Sequence, residues 1–579
     1  MKLRSAQIHN YRSIGDSTID VNDYTLLVGA NNAGKSNLLN ALRVFYEDLK
    51  WSGADVPQLA GIDDETWIEL TYSLDKAEWD SLADKYKKGA KPNQLLVRRY
   101  FRSTEKDRVK ANQSNLYGYV DGQLEKDLFY GAKNVAAAKL GQVVYVPALT
   151  TADEQTKLSG PSPLREVLNF LIKKIVASSP AYAAVADTFQ KLNDEARGDK
   201  GFLRGIADPL NEAISSWNIK IDFSINSVKP EDISKNLVSF SFLDVSLGDA
   251  SFDLTRYGHG FQRSVIYELI RIAPTFRDTK AADKKEFSPD LTIILFEEPE
   301  AFLHPSQQEN MAYHLRRLSG EPTQQVILCT HSSTFVGKAT ENISQIVRFR
   351  RDNGATKTQQ VDAAGLKTLF ADGGALLAAL KEFVADPAVV EAQKAKAKKI
   401  ITNPPQQQIA EDEERFRFQL WMDGERSSLF FADRVLLVEG ASERALFNYL
   451  LADAWHDLCQ HRISVVDVLG KFNFHRFMAL LKAFQIPYGT ILDDDNNNEH
   501  HQAINGLVDK LASATDSSSL AAPEKIKDSL EVMLGLPKVN GRDDKKPLEV
   551  MKAITTQGKI SAAQLTALRE MFKRALALP

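Results

Sequence analysis

Eight consecutive residues, Gly29-Ala30-Asn31-Asn32-Ala33-Gly34-Lys35-Ser36, satisfy GxxxxGK[ST] at every fixed position. Their context suits phosphate binding: the apolar run Thr25–Val28 precedes them, and Leu38, Leu39, Leu42 and Phe45 follow at helical spacing. Glycines in such a loop let backbone N–H groups curl around phosphate oxygens, and the positive end of the helix dipole adds to the attraction. Lys35 is placed to reach the β- and γ-phosphates of a nucleotide and Ser36 to bind Mg²⁺, with Asn32, Gly34 and Asn37 completing the cradle. Hydrolysis also needs acids near the metal and the attacking water. The apolar run Thr292–Phe296 delivers Glu297-Glu298-Pro299-Glu300, so Glu297 is assigned to the metal shell and Glu298 to the general base. His331, just after the apolar run in VILCTHS, is placed to contact the γ-phosphate.

A second set of acids lies far downstream. Glu439 follows VLLV, Glu443 comes four residues later, and GTIL ends in Asp493-Asp494-Asp495. Acids at the carboxyl ends of parallel strands face the crevice in which such sheets bind ligands. Carboxylates are hard ligands suited to Mg²⁺ or Mn²⁺, and a pair of such ions can activate water and stabilise the leaving oxygen of a phosphodiester. Glu439, Asp493 and Asp495 are therefore expected in one site, with Glu443 supporting a second ion.

These groups must be positioned by sheets and helices. Residues 1–30 read as two strands, with further strands at Thr66–Leu74 and Val143–Pro147. Helical periodicity from Pro163 to Ala213 interrupts the alternation, and strands are expected to resume near Ile219 and Val238. An Ala/Lys-rich stretch, NPPQQQ at Asn403–Gln408 and a charged run form a helical connector with a break. A fresh α/β pattern then runs through RVLLVEG, SVVDVLG and YGTILDDD.

A chain of 579 residues exceeds one hydrophobic core. No apolar run is long enough to cross a bilayer, the N-terminus lacks the apolar core of a signal peptide, and two cysteines exclude a disulfide framework. The reading is a cytoplasmic protein with no membrane partner. The net charge of −4 leaves nucleic-acid binding to a local basic surface, for which Lys85–Lys91 and Lys394–Lys399 are candidates beside the plainer reading of solvated faces.

The N-terminal two thirds resembles ABC-type ATPases of the SMC/RecF kind, on HNYRS at His9–Ser13, the phosphate loop, the EEPE strand and His331. Arg256–Arg263, RYGHGFQR, looks like a degenerate ABC signature. The resemblance implies that Gly258, Gly260 and Gln262 close over ATP held by a second protomer, hence a dimer. Glu297 stands where many ABC proteins have Asp, and the signature lacks its usual serine, which implies slow turnover or ATP as a conformational clamp. A Q-loop is sought in the segment after Pro147. Glutamate after one strand and DxD after a later one resembles the Toprim domain. The order of the two resembles the OLD (overcoming lysogenization defect) nucleases over essentially the whole chain.

That resemblance implies an α/β fold with defined divisions: an ABC-type ATPase over 1–160 and 219–370, a helical dimerisation insertion at 161–218, a helical linker at 371–430 and a Toprim nuclease domain at 431–579. It implies ATP with one Mg²⁺ or Mn²⁺ at the ATPase site, two ions at the Toprim site, and a lysine neutralising developing charge, for which Lys546 is the candidate, a plain surface lysine being the alternative. It implies DNA as substrate, a homodimer or homotetramer, a place in anti-phage defence, and a UvrD-like helicase or a retron reverse transcriptase with its DNA as companion. An ATP-driven DNA-binding scaffold with a silent Toprim domain stays open. A topoisomerase needs a nucleophilic tyrosine, and only Tyr449 and Tyr488 lie nearby.

Overall fold

A computed structural model of the chain describes residues 1–148 except 60, most of 176–225, isolated positions between 242 and 268, and 287–579 except 302, 338–339, 372, 388, 402–406, 495–498, 516, 537–544 and 557–558. The first 30 residues form three strands rather than two: β1 (Lys2–Tyr11), β2 (Ile14–Asp20) and β3 (Tyr24–Gly29). The break comes at Arg12, whose φ of 52° turns the chain into a hairpin that pairs Tyr11 with Ile14. β1 and β2 continue into an antiparallel sheet with β4 (Thr66–Ser73), β5 (Gln94–Arg102), β6 (Leu116–Val120) and β7 (Gln123–Leu124), in the order β2-β1-β4-β5-β6-β7.

The central sheet adds β8 (Gln142–Val146), then, beyond the short hairpin of β9 (Phe242–Asp244) and β10 (Ala250–Phe252), β11 (Thr292–Glu297), β12 (Gln324–Cys329), β13 (Ile346–Asp352) and β14 (Ala355–Gln360). Its order is β14-β13-β3-β12-β11-β8, parallel except for β14. β3, β11 and β12 are covered on both faces, which is why they read as unbroken apolar runs. Leu27, Ile293, Leu295, Ile327 and Cys329 face the helix Lys35–Phe45 and the antiparallel sheet. Leu26, Val28, Ile294, Phe296, Val326 and Leu328 face the other way.

Within the insertion, the described residues form helices Pro180–Arg197 and Phe202–Ala213. The strand expected at Ile219 is absent from residues 219–225: the Ile221 N–H donates to Asn211 Oδ1 and the Ile225 N–H to Asn193 Oδ1, so helix side chains take the bonds a neighbouring strand would have taken. Val238 lies outside the described residues.

The connector contains helices Ala363–Ala371, Gly373–Ala385, Glu391–Ile401 and Gln407–Trp421. Beyond it, β15 (Arg434–Val438), β16 (Ile463–Asp467), β17 (Tyr488–Asp493) and β18 (Glu524–Ile526) form a parallel sheet in the order β16-β15-β17-β18. Helices Ala441–Asp453, Phe474–Ala483 and Glu499–Ala512 make the crossovers. Leu436 and Val438 face the first crossover helix and the C-terminal helix Ala562–Ala575. Val435 and Leu437 belong to the same core as Leu26, Phe296, Leu328 and Phe418 of the ATPase side and connector. Arg348 on β13 stitches the halves: its Nη2 donates to Ala432 O at 3.1 Å and its Nη1 to Gln485 O at 3.3 Å. Burial pulls its pKa down to about 10.

Candidate functional site

The phosphate loop leaves β3 through Gly29 (φ 132°) and enters the helix through Gly34 (φ 102°). A Cβ at Gly29 would sit 2.2 Å from Phe349 O, and one at Gly34 would sit 2.0 Å from Thr356 Oγ1, so both positions require glycine twice over. Thr356 Oγ1 donates to Ala33 O at 3.0 Å, and Asn37 Nδ2 donates to Ser13 Oγ at 2.7 Å, which fastens the loop to the ends of β13–β14 and β1. Asn32 also has positive φ, 62°, with Asn31 and Ala33 beside it on the rim of a cavity of about 320 Å³. Lys35, Ser36, Glu298 and His331 line the same cavity. Lys35 is buried, and its ammonium donates to Gly29 O and Ala30 O, both at 2.9 Å. Burial lowers its pKa, against the opposing pull of Cys329 and Glu298.

The structure brings the expected acids to this cradle. Ser36 Oγ donates to Glu297 Oε1, and the Tyr145 hydroxyl on β8 donates to Glu297 Oε2 at 2.5 Å. Hydroxyl and carboxylate are hard oxygen ligands, so the pair fits Mg²⁺. Glu298 has φ 45°, and its Oε1 lies 3.9 Å from His331 Nε2. Burial, followed by the charge on Lys35, pulls the His331 pKa down to about 4, so the imidazole is neutral at pH 7.

Two residues missed by sequence reasoning hold this geometry. Tyr145 caps Glu297. Glu300 accepts from the His331 N–H at 2.5 Å and from Thr330 Oγ1 at 2.9 Å, tying the acidic strand end to the histidine. Glu300 was visible as the last acid of EEPE; Tyr145 carried no local signal. In the signature, Gly258 and Phe261 are exposed, while Gly260, Gln262 and the segment sought for the Q-loop, from 149 onward, lie outside the described residues.

At the second site, Glu439 immediately follows β15 and Asp493 ends β17, and these strands are hydrogen-bonded neighbours. One cation bridges the two strand ends, through the Asp493 backbone carbonyl and the Glu439 carboxylate. Lys471 Nζ donates to Asp493 O at 2.5 Å and lies 3.8 Å from Glu439 Oε2. Sequence reasoning missed Lys471, whose only signal was its place after the glycine of SVVDVLG. Glu443 turns back on its own helix: its Oε2 accepts from the Gly440 N–H at 3.0 Å, and burial raises its pKa to about 7. Asp495 lies outside the described residues. Among the described residues no three acidic, histidine or cysteine side chains converge as a metal cluster, but the carboxylates of Glu439 and Asp493 stand at adjacent strand ends, and such hard oxygen ligands suit a divalent ion. Lys546 opens the helix Lys546–Thr555, half-buried. Tyr488, the first residue of β17, is buried with its hydroxyl 3.2 Å from Ser517 Oγ, which suits a core residue rather than a nucleophile.

Three lysines of the candidate basic stretches are paired with acids: Lys85 with Glu125 at 2.6 Å, Lys87 with Asp84 at 3.0 Å, and Lys398 with Glu391. No described helix is long and apolar enough to cross a membrane.

Two family models match the chain: one described as an AAA ATPase domain, over residues 1–88 and 90–336, and one described as the TOPRIM domain of overcoming lysogenization defect protein-like proteins, over residues 430–495. The Old nuclease of Escherichia phage P2 is 22% identical over 536 residues, covering 89% of this chain and 81% of the relative. Endonuclease GajA of Bacillus cereus (strain VD045) is 21% identical over 534 residues, covering 88% and 78%. Among solved structures, the Smc head domain with a coiled coil and joint derived from Pyrococcus yayanosii aligns with 63% of this chain and 98% of its own, at 10% identity and a TM-score of 0.32. With a phosphate loop and acidic strand in the first matched region and strand-end carboxylates in the second, the chain belongs to the OLD family, in which an ATPase domain and a Toprim domain share one polypeptide.

Proposed function

We propose that this protein is an ATP-binding and ATP-hydrolysing, Mg²⁺- or Mn²⁺-dependent DNA endonuclease serving anti-phage defence. The observation that carries the reading is the placing of Glu439 and Asp493 at adjacent strand ends on the carboxyl edge of a parallel sheet, bridged by Lys471 through the Glu439 carboxylate and the Asp493 carbonyl, in a chain that also holds a complete phosphate loop. At the first site Lys35 binds the β- and γ-phosphates, Ser36 and Glu297 hold the metal, Glu298 takes the proton of the attacking water, and neutral His331 hydrogen-bonds the γ-phosphate. At the second, Glu439, Asp493 and Asp495 would hold a divalent ion, which when bound would supply activation of water for phosphodiester hydrolysis; Glu443 would support a second ion, and Lys546 would neutralise developing charge. Gly258, Gly260 and Gln262 close over the ATP of a partner copy.

A homodimer, or a tetramer built on it, is supported by the insertion: Phe202, Ile206 and Leu210 are 58%, 56% and 37% exposed and form one stripe at i, i+4, i+8. A UvrD-like helicase or a retron belongs to the same proposal as a companion of the assembled nuclease. The test is plasmid cleavage with Mg²⁺ or Mn²⁺, with and without ATP, comparing wild type with Asp493→Ala and Glu439→Ala. Cutting by wild type alone supports the reading; equal cutting by either folded mutant overturns it. The bond from the Gly440 N–H to Glu443 favours a second reading, an ATP-driven DNA-binding scaffold with a silent Toprim domain. That reading gains if wild type binds DNA and never cuts it.

A further inference from the structure

Lysine is almost never fully buried unless it is paired, because a charge removed from water is costly. The Lys471 side chain is 1% exposed. The loop carrying it is pinned to β15: the Val468 N–H donates to Val438 O and the Gly470 N–H to Glu439 O, both at 2.9 Å. Gly470, at φ 101°, then turns the chain so that Lys471 enters the sheet edge. Its ammonium spans two strand ends, donating to the carbonyl of Asp493 and standing 3.8 Å from the Glu439 carboxylate. A lysine needed only for packing has no reason to place its charge between one candidate metal ligand, the Glu439 carboxylate, and the main chain of the residue that carries another, Asp493.

We propose that Lys471 is a positioning residue of the nuclease site and its resident counter-cation. Before a metal ion arrives, it holds Glu439 and the end of β17 at a working spacing. When the ion arrives, the two cations share the Glu439 charge. The site therefore gives up metal affinity in return for fixed ligand geometry. This inference rests on the nuclease reading of the Toprim domain.

The two effects have opposite signs when the ammonium is removed. Deleting a positive charge beside a metal ligand strengthens metal binding, because like charges no longer repel. Loosening the ligands slows the chemistry, because small misplacements at a reacting centre are expensive. The experiment uses the full-length chain without nucleotide, comparing wild type, Lys471→Met, Lys471→Gln and Lys471→Arg. Mn²⁺ binding is measured by electron paramagnetic resonance of the free ion, with Glu439→Ala as the blank for this site, and plasmid cleavage is measured in parallel. Circular dichroism identifies the variants that fold.

The neutral variants are expected to bind Mn²⁺ about threefold or more tighter and to show kcat about tenfold or more lower. Lys471→Arg, which keeps the charge, is expected to retain wild-type Mn²⁺ affinity. A purely structural lysine would weaken binding and rate together. Unchanged or weaker Mn²⁺ binding in a folded neutral variant, or wild-type kcat, overturns the proposal. If wild type itself does not cut DNA, the nuclease reading fails, and the Mn²⁺ arm still decides whether Lys471 is the counter-cation.

Discussion

In the phosphate cradle, the charged and polar groups are satisfied by the protein before any ligand arrives. Lys35 is bound by the carbonyls of Gly29 and Ala30, and Ser36 is bound by Glu297, so incoming phosphates exchange hydrogen bonds rather than fill vacant ones. Glu298 lines the same cavity, with its Oε1 3.9 Å from His331 Nε2. Glu298→Gln is expected to lower the ATP hydrolysis rate about 100-fold or more while leaving ATP binding intact, as checked by phosphate release and by binding of a fluorescent nucleotide. His331 makes a separate prediction. Its folded pKa of about 4 lies below the ordinary value of 6.5. The unfolded chain therefore binds more protons between those values, so the stability gained by keeping the ring neutral is present above pH 6.5 and is lost as pH falls toward 4. His475, 2% exposed and pulled down to about 3 by burial and then by Arg476, acts in the same direction and extends the window further into acid. In nucleotide-free protein, NMR titration of both rings should show no midpoint near 6.5; a midpoint there for His331 would contradict the geometry. The placing of the site was legible in sequence wherever it is written in adjacent residues, as in Gly29–Ser36 and Glu297–Glu300. Tyr145 and Lys471 were not, because each acts on a carboxylate delivered by a different strand, and only the sheet order makes them neighbours.

Among the elements, the buried parallel strands were the most legible, since a strand covered on both faces must be apolar throughout. β11, β15, β16 and β17 fall where their apolar runs lie. The N-terminal hairpin was less so. β1 alternates, and a register shift between Leu3 and Ser5 lets both Leu3 and Ala6 reach the core, which blurs the period-two pattern. Close approach governs the Toprim sheet as well. A Cβ on Gly489 would lie 2.1 Å from Ala575 O, so β17 and the C-terminal helix touch backbone to backbone. Gly489→Ala forces that helix away and is expected to cost about 1–3 kcal/mol in chemical denaturation, with reduced cleavage because Asp493 rides on the same strand. An unchanged midpoint would mean that the helix yields freely.

For the whole molecule, the telling feature is that the ATPase sheet, the connector helices and the Toprim sheet contribute to one continuous apolar core. Phe418 of the connector, Phe296 and Leu328 of the ATPase and Val435 and Leu437 of the Toprim sheet all belong to it. The segment after His331 joins in: the short helix Ser333–Gly337 packs on the turn Arg426–Phe430, and Arg426 reaches on to Asp467 Oδ2 at 2.8 Å. Calorimetry should therefore record the two halves melting in one transition, and a non-hydrolysable ATP analogue should raise that transition as a unit. Two resolved transitions, with only the first moved by nucleotide, would show the halves to be independent. The shared core also decides where relatives could exchange parts. A recombination breakpoint at residue 430, between the two matched families, would cut through packed side chains and leave Phe418 and Leu437 facing strangers. One placed just after Gln360, where β14 ends, would carry the connector helices along with the Toprim sheet they cover. The heritable module is thus longer than the catalytic one, and chimaeras that ignore the difference should aggregate before either activity can be assayed.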